Sequence, residues 1–288
     1  MRVAVTSGGL AEPLTSGLLA AGHEVLQLVE REASGPAERR WDPTAGRIDG
    51  PGLADVDAVV NLFEANVWTR WTPSARDHIR GSQVTGTLTI VSHLEPDGRC
   101  RRFANLSATS FYGDRGEEPL DADTKVGPGW LAQSTAAWEA AARHAPVSTV
   151  LLRTPAVFGV TGGAWERKVR GPLSGRLGHG RQWRSWIHRA DWVRACVALL
   201  AGSVEGPVVV AAPHPVREAD LVRAIARASG RRPGLPVPEA LIRARYGAEV
   251  TAELVMASQR VEPRILPHEL GFDYAFGELD AALADLLG

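Results

Sequence analysis

Hydroxyl groups gather where a buried strand runs out: Ser107, Thr109, Ser110 and Tyr112 follow the run Phe103-Ala104-Asn105-Leu106. Open α/β sheets bind ligands beyond the carboxyl ends of their strands. Ser107 and Tyr112 are therefore candidate catalytic hydroxyls, and Thr109 and Ser110 candidate substrate contacts; a hydrogen-bonded strand-to-loop turn is the plainer alternative. Glu64 ends another such run, Asp57-Ala58-Val59-Val60-Asn61-Leu62, beside Phe63 and near Trp68 and Trp71. Partial burial there raises a carboxyl's pKa and suits it to general acid–base work, with a salt bridge to Arg70 as the competing expectation. Farther along come His179, Arg181, Trp183 and His188. Arginine suits a carboxylate, phosphate or enolate oxygen, and histidine shuttles protons near neutral pH. His179 is thus a catalytic candidate and Arg181 a substrate contact, whereas His188 with Asp191 reads as a tie at a helix start. Trp68 and Trp183 belong to a set of nine tryptophans, several in loops, where they can line an apolar pocket or pack a cap.

The elements that must position these groups follow a clear order. Val3 to Thr6 is a short apolar run closed by Ser7-Gly8-Gly9; a helical pattern with Leu14, Leu18 and Leu19 on one face stops at Gly22, and Val25 to Val29 reads as a second strand. Strand, glycine turn, helix and strand open a βαβ unit and so a parallel sheet. A small hairpin is expected between Trp41 and Ile48. Strands follow at 57–62, 103–107 and 147–152, with helices over 73–94 and 129–144. In the first of those helices Ile79, Val84, Leu88 and Val91 are spaced to face the sheet. After Gly159 the alternation weakens into a Gly- and Trp-rich stretch (161–186), a helix at 191–201, a strand at 208–211, a helix at 219–229 and a largely helical end. The fold class is α/β: a Rossmann-type doubly wound parallel sheet with a smaller C-terminal substrate-binding cap. Residues 1–160 form the core; residues 161–288 return elements to it at about 187–212 and build the cap.

Composition narrows the function classes. The chain has 288 residues, 44% hydrophobic and 23% charged, with formal net charge -1, so no global field draws it to nucleic acid or an acidic membrane. No apolar run is long enough to span a bilayer and no secretory h-region opens the chain, which points to the cytoplasm. Cys100 and Cys196 lack metal-site spacing, and no metal is expected. Basic residues are nearly all Arg, Lys125 and Lys168 being the exceptions, a bias that fits a GC-rich genome.

A family signature runs through the chain: Asn61-Leu62, Ser107-Ala108 with Tyr112-Gly113-Asp114, Trp138-Glu139, Arg153-Thr154 with Gly162-Gly163, the stretch Gly180 to His188, Ala212-Pro213-His214-Pro215-Val216, Arg232-Pro233 and Leu270-Gly271-Phe272. Together these resemble the atypical epimerase-family branch of the extended short-chain dehydrogenase/reductase superfamily. The resemblance implies a nicotinamide dinucleotide at the first turn and dimers paired through the helices around 73–94 and 129–144.

The chain departs from that pattern at three places. The family's turn resembles T-G-x-T-G-x-x-G, where glycines let the backbone approach a pyrophosphate at a helix N-terminus. Here Thr6-Ser7-Gly8-Gly9-Leu10-Ala11-Glu12 is two residues short, with Ser7 at the first glycine and Gly9 and Ala11 near the others. The family follows Asn-Leu with small residues, where this chain has Phe63 and Glu64. Its reductases use Tyr-x-x-x-Lys, in which Lys lowers the phenol pKa. The residues four before Lys125 and Lys168 are Asp121 and Ala164, so the motif is absent; by resemblance its two places fall on Leu131 and Thr135.

Three functional readings follow. The favoured one is an enzyme without cofactor that acts on a small, partly aromatic or polyketide-like molecule by acid–base dehydration, isomerisation or cyclisation, as in bacterial secondary metabolism. The alternative is an NAD(P)-dependent oxidoreductase or epimerase, with Ser7, Gly8, Gly9 and Ala11 at the turn, Glu30 on the ribose hydroxyls of NAD and Arg31 favouring NADP. The third is a non-catalytic binding protein. All three exclude nucleic acid and membrane as partners and allow a homodimer.

Overall fold

In the computed structural model, which describes residues 1–160, 164–169 and 174–288, the alternation becomes a sheet of eight strands. They are Arg2–Thr6 (β1), Glu24–Val29 (β2), Glu38–Asp42 (β3), Arg47–Ile48 (β4), Ala58–Asn61 (β5), Arg102–Ala108 (β6), Ser148–Thr154 (β7) and Gly206–Val209 (β8). Their order is β8-β7-β6-β5-β1-β2-β3-β4, all parallel except β4, which runs antiparallel to β3. The expected hairpin thus exists, but its first strand joins the parallel sheet beside β2. The winding reverses between β1 and β5, and a ligand crevice opens outside their carboxyl ends.

Side-chain alternation sends Val3 and Val5 to one face of the sheet and Ala4 to the other. On the first face Leu14 and Leu18 of helix α1 (Ala11–Ala20) meet Trp192 and Leu199 of a later helix, Arg189–Ala201. On the second, α2 (Pro73–Ser92) and α3 (Trp130–Ala142) cover Leu26, Val59 and Phe103 with Ile90 and Ala142. Leu19 and Leu88, expected to face the sheet, are exposed instead. The buried stripe of α2 runs through Ile79, Gln83, Gly86, Thr87 and Ile90, because a polar network there takes the place of apolar packing.

That network lies at the strand ends. Asn61 donates to Thr87 Oγ1 (3.0 Å) and Asn105 Oδ1 (2.8 Å) and accepts from Thr6 Oγ1 (3.1 Å). Trp138 Nε1 also donates to Thr87, at 2.9 Å. Thr6 Oγ1 accepts from Leu62 N (2.7 Å) and Asn61 Oδ1 from Phe63 N (3.2 Å), fixing the main chain just before Glu64. Satisfied buried networks of this kind specify one arrangement of the chain.

The C-terminal part covers the crevice. Helices Glu218–Ala228 and Leu279–Leu287 pack with Phe158, Trp165 and Trp186. Helix Glu239–Tyr246 and the π-helix Thr251–Met256 pack on Trp71, Ile79 and Leu131. The expected Gly162-Gly163 motif lies outside the described residues. Among the described residues no helix is long and apolar enough to cross a membrane, and no group of three or more His, Cys, Asp or Glu could hold a metal ion.

Candidate active site

A cleft of about 650 Å³ opens beyond β1, β5 and β6, between the sheet and the C-terminal elements. Its floor begins at the first turn. Gly8 passes so close to β5 that a Cβ there would lie 2.3 Å from the carbonyl oxygen of Leu62, so only glycine fits. No side chain caps α1, and Gly8, Gly9 and Leu10 line the cleft beside its N-terminus. Ser7 Oγ donates to Glu30 Oε1 at 3.3 Å, placing Glu30 at the end of β2 beside the turn. Arg31 turns away: its guanidinium grips Glu38 at 2.6 and 2.7 Å and holds that carboxyl down near 2.

Phe63 and Glu64 part company at the end of β5. The Phe63 ring turns onto α2, edge-on to Trp41 at 5.1 Å, in a space that Gly86 leaves open; a Cβ at Gly86 would meet the ring at 2.6 Å. Glu64 turns into the cleft, one oxygen 3.9 Å from where a Cβ on Gly9 would sit. Protein packed around its carboxyl pushes it up to about 7, with no charge or hydrogen bond to offset the burial. The residue is nonetheless exposed to the solvent of the cleft, so the shift comes from the surrounding walls and grows when a ligand displaces that water. Arg70, its expected partner, instead donates to the carbonyl of Ala244 at 2.7 Å.

The hydroxyl cluster divides. Thr109 and Ser110 line the cleft; Thr109 donates to Gln259 Oε1 at 2.9 Å, and Ser110 shares a 2.8 Å hydrogen bond with Thr135. Thr135 and Leu131, the places where the resemblance puts Lys and Tyr, both face the cleft. Ser107 borders it too, but its hydroxyl donates at 2.7 Å to the buried Glu139. Glu139 also accepts from Arg153 Nε and Nη2 at 2.8 and 3.0 Å. Tyr112 lies outside the cleft: fully buried, it donates to the carbonyl of Asp121 (2.7 Å), accepts from Arg153 (3.2 Å), and has its phenol pushed up to about 12, chiefly by burial. A phenol so held cannot reach a substrate.

His179 and Arg181 are also displaced from the cleft. Both are exposed in a surface turn, where His179 Nδ1 accepts from Arg181 N at 3.0 Å. Trp183 lines the cleft rim, its indole donating to Glu117 at 3.0 Å, and Trp68 lines the wall edge-on to Tyr246. His188, rather than Asp191, caps the following helix by accepting from Ala190 N at 3.1 Å. Several cleft residues carried no motif signal: Arg167, Lys168, Glu218, Glu253 and Gln259. Lys168 was legible only as one of two lysines, and Glu253 arrives from the π-helix to accept from Leu131 N at 2.8 Å.

Residues 6–212 match the NAD dependent epimerase/dehydratase family. The chain belongs to that family. Residues 237–286 also match a domain of unknown function (DUF1731). An epimerase family protein of Mycobacterium bovis is 35% identical over 98% of this chain and 95% of its own length. The human epimerase family protein SDR39U1 is 30% identical, with full coverage of both chains. A crystal structure of human SDR39U1 (isoform 2) with NADPH superposes with TM-score 0.88 at 28% identity, covering 100% of this chain and 99% of that one.

Proposed function

We propose that the protein is a nicotinamide dinucleotide-binding enzyme of the epimerase/dehydratase family, acting on a small molecule with Glu64 as its proton-transfer group. The observation that carries this reading is the first turn. Though two residues short of the pattern it resembles, it still brings Gly8 against β5 and leaves the α1 N-terminus open to the cleft. The whole-chain likeness to a human relative crystallised with NADPH supports it. The earlier expectation of an enzyme without cofactor therefore gives way to the dinucleotide alternative.

The backbone of Gly8, Gly9 and Leu10 would hold the pyrophosphate and Glu30 the ribose hydroxyls; the dinucleotide, when bound, supplies hydride chemistry. Glu64, divided between its neutral and ionised forms near pH 7, donates or takes the proton in a cleft where Leu131 has no proton to give and Thr135 is hydrogen-bonded to Ser110. A second reading, acid–base dehydration, isomerisation or cyclisation without redox turnover, draws on the same Glu64 and on the absent Tyr–Lys pair.

Calorimetric titration with NAD, NADH, NADP and NADPH separates the two. Binding is expected at micromolar strength, about -8 kcal/mol, and tighter for NAD(H) than for NADP(H). Glu30 would repel a 2′-phosphate, and Arg31 is already committed to Glu38. Failure of all four to bind would remove the dinucleotide reading and leave the non-redox one.

A further inference from the structure

Arg167 has no anionic partner among the described residues. It lines the cleft, half-buried, with its guanidinium 5.5 Å from the centre of the Trp68 ring. Its Nε is shut off from solvent with no hydrogen-bond partner among the described residues. The neighbouring cations are otherwise placed. Lys168 is bonded to Glu218 and to the carbonyl of Gly175 (2.9 Å), and Arg184 reaches Glu218 at 3.1 Å. One carboxylate thus serves two cations. Of the remaining cleft acids, Glu253 is held by Leu131 N, and Glu64 feels no compensating charge. A half-buried guanidinium with no counter-charge is costly unless a ligand completes it.

We propose that Arg167 and Trp68 form the subsite for the carboxylate of a monoanionic substrate with an aromatic or otherwise apolar body. A guanidinium fork matches a carboxylate, and Arg167, the one cleft cation without a carboxylate partner among the described residues, carries the single charge that balances a monoanion rather than a phosphate dianion. The apolar part of the cleft wall, including Leu131, Trp165, Leu177 and Leu254, takes the body. This rests on the reading of the cleft as a small-molecule site and names the class of molecule.

The test pairs acids with their amides: cinnamate with cinnamamide, 4-hydroxybenzoate with its amide, and 2-naphthoate with its amide, titrated into wild type, Arg167→Met and Arg167→Lys by calorimetry and tryptophan fluorescence. At least one acid is expected to bind wild type roughly tenfold or more tighter than its amide. Arg167→Met should erase that advantage by weakening the acid alone, and Arg167→Lys should restore part of it. The proposal is overturned if no acid binds wild type, if acid and amide bind alike, or if Arg167→Met keeps the preference. Circular dichroism checks that each variant is folded. The same proteins are titrated with NAD: loss of NAD binding in wild type would count against the dinucleotide reading, while the acid–amide comparison stands by itself.

Discussion

Glu64 concentrates the residue-scale argument. Its folded-state pKa of about 7 exceeds the ordinary carboxyl value, so the folded protein holds the proton more tightly than the unfolded chain does. The resulting stability is complete below the ordinary value and is lost as pH rises through about 7. Glu64→Gln removes the titration. Between roughly pH 5 and pH 8 the variant's melting temperature should therefore gain on that of wild type; parallel profiles would show that Glu64 titrates normally. The substitution should also abolish the near-neutral limb of the pH–rate profile for any turnover. Glu64 was legible in the sequence because a carboxylate stands where the resemblance leads one to expect a small residue. The sequence alone could not tell Glu64 from Phe63, since the divergence depends on Gly86, distant in sequence, making room for the ring. Tyr112, His179 and Arg181 misled for a related reason: residue type announces chemistry, but whether a side chain faces a cleft depends on partners such as Arg153 and the Asp121 carbonyl.

Elements explain why motif residues can be structural. Trp138-Glu139 and Arg153-Thr154 are parts of the family signature; in the structure Trp138 and Thr154 line the cleft, and Glu139 and Arg153 join in the packing behind it. Glu139 on α3 and Arg153 on β7 are 1% and 3% exposed, respectively, and form the ion pair that also anchors Ser107 at the end of β6. Arg153 further stacks on Phe111 at 3.6 Å and holds the Ala122 carbonyl at 3.0 Å, so one guanidinium ties β7 to the loop after β6. Glu139→Gln would leave that guanidinium buried and uncompensated, at a cost of about 3–5 kcal/mol. Replacing both residues by apolar ones of similar size should cost far less than the sum of the single changes. Denaturant unfolding measures both, and a Glu139→Gln loss below about 1 kcal/mol would mean the pair behaves like a surface one. Strands and helices were readable because their periods of two and 3.6 are local. The polar stripe of α2 was not: Thr87 looks solvent-facing until Asn61, Asn105 and Trp138 are placed around it, and Gln83 until the cleft it lines is in place.

At the scale of the whole molecule, the question is whether the segment matching a separate domain description behaves as one. Residues 237–286 have their own match, yet Ile265, Leu266, Leu270 and Phe272 join the same apolar cluster as Val3, Val60 and Val208 of the sheet. Polar ties cross as well. Asp191, at the start of the helix beside α1, accepts from Ala275 N and Phe276 N at 2.9 and 2.8 Å, and His188 meets Asp285 at 3.2 Å. The cleft itself is walled by both parts, with Gly8 and Glu64 from one and Glu253 and Gln259 from the other. These contacts were invisible in the sequence because the alternation that announces a sheet stops after Gly159, and nothing local says where the remaining helices dock. Shared core and shared cleft together predict one cooperative thermal transition in scanning calorimetry, with no separate melting of the C-terminal part. A dinucleotide that binds in this cleft should stabilise that single transition as a whole, by about 2.7 kcal/mol at a hundredfold excess over its Kd. Two resolved transitions, with ligand moving only the one that belongs to the first turn, would mean the C-terminal elements cover the cleft without contributing to its integrity.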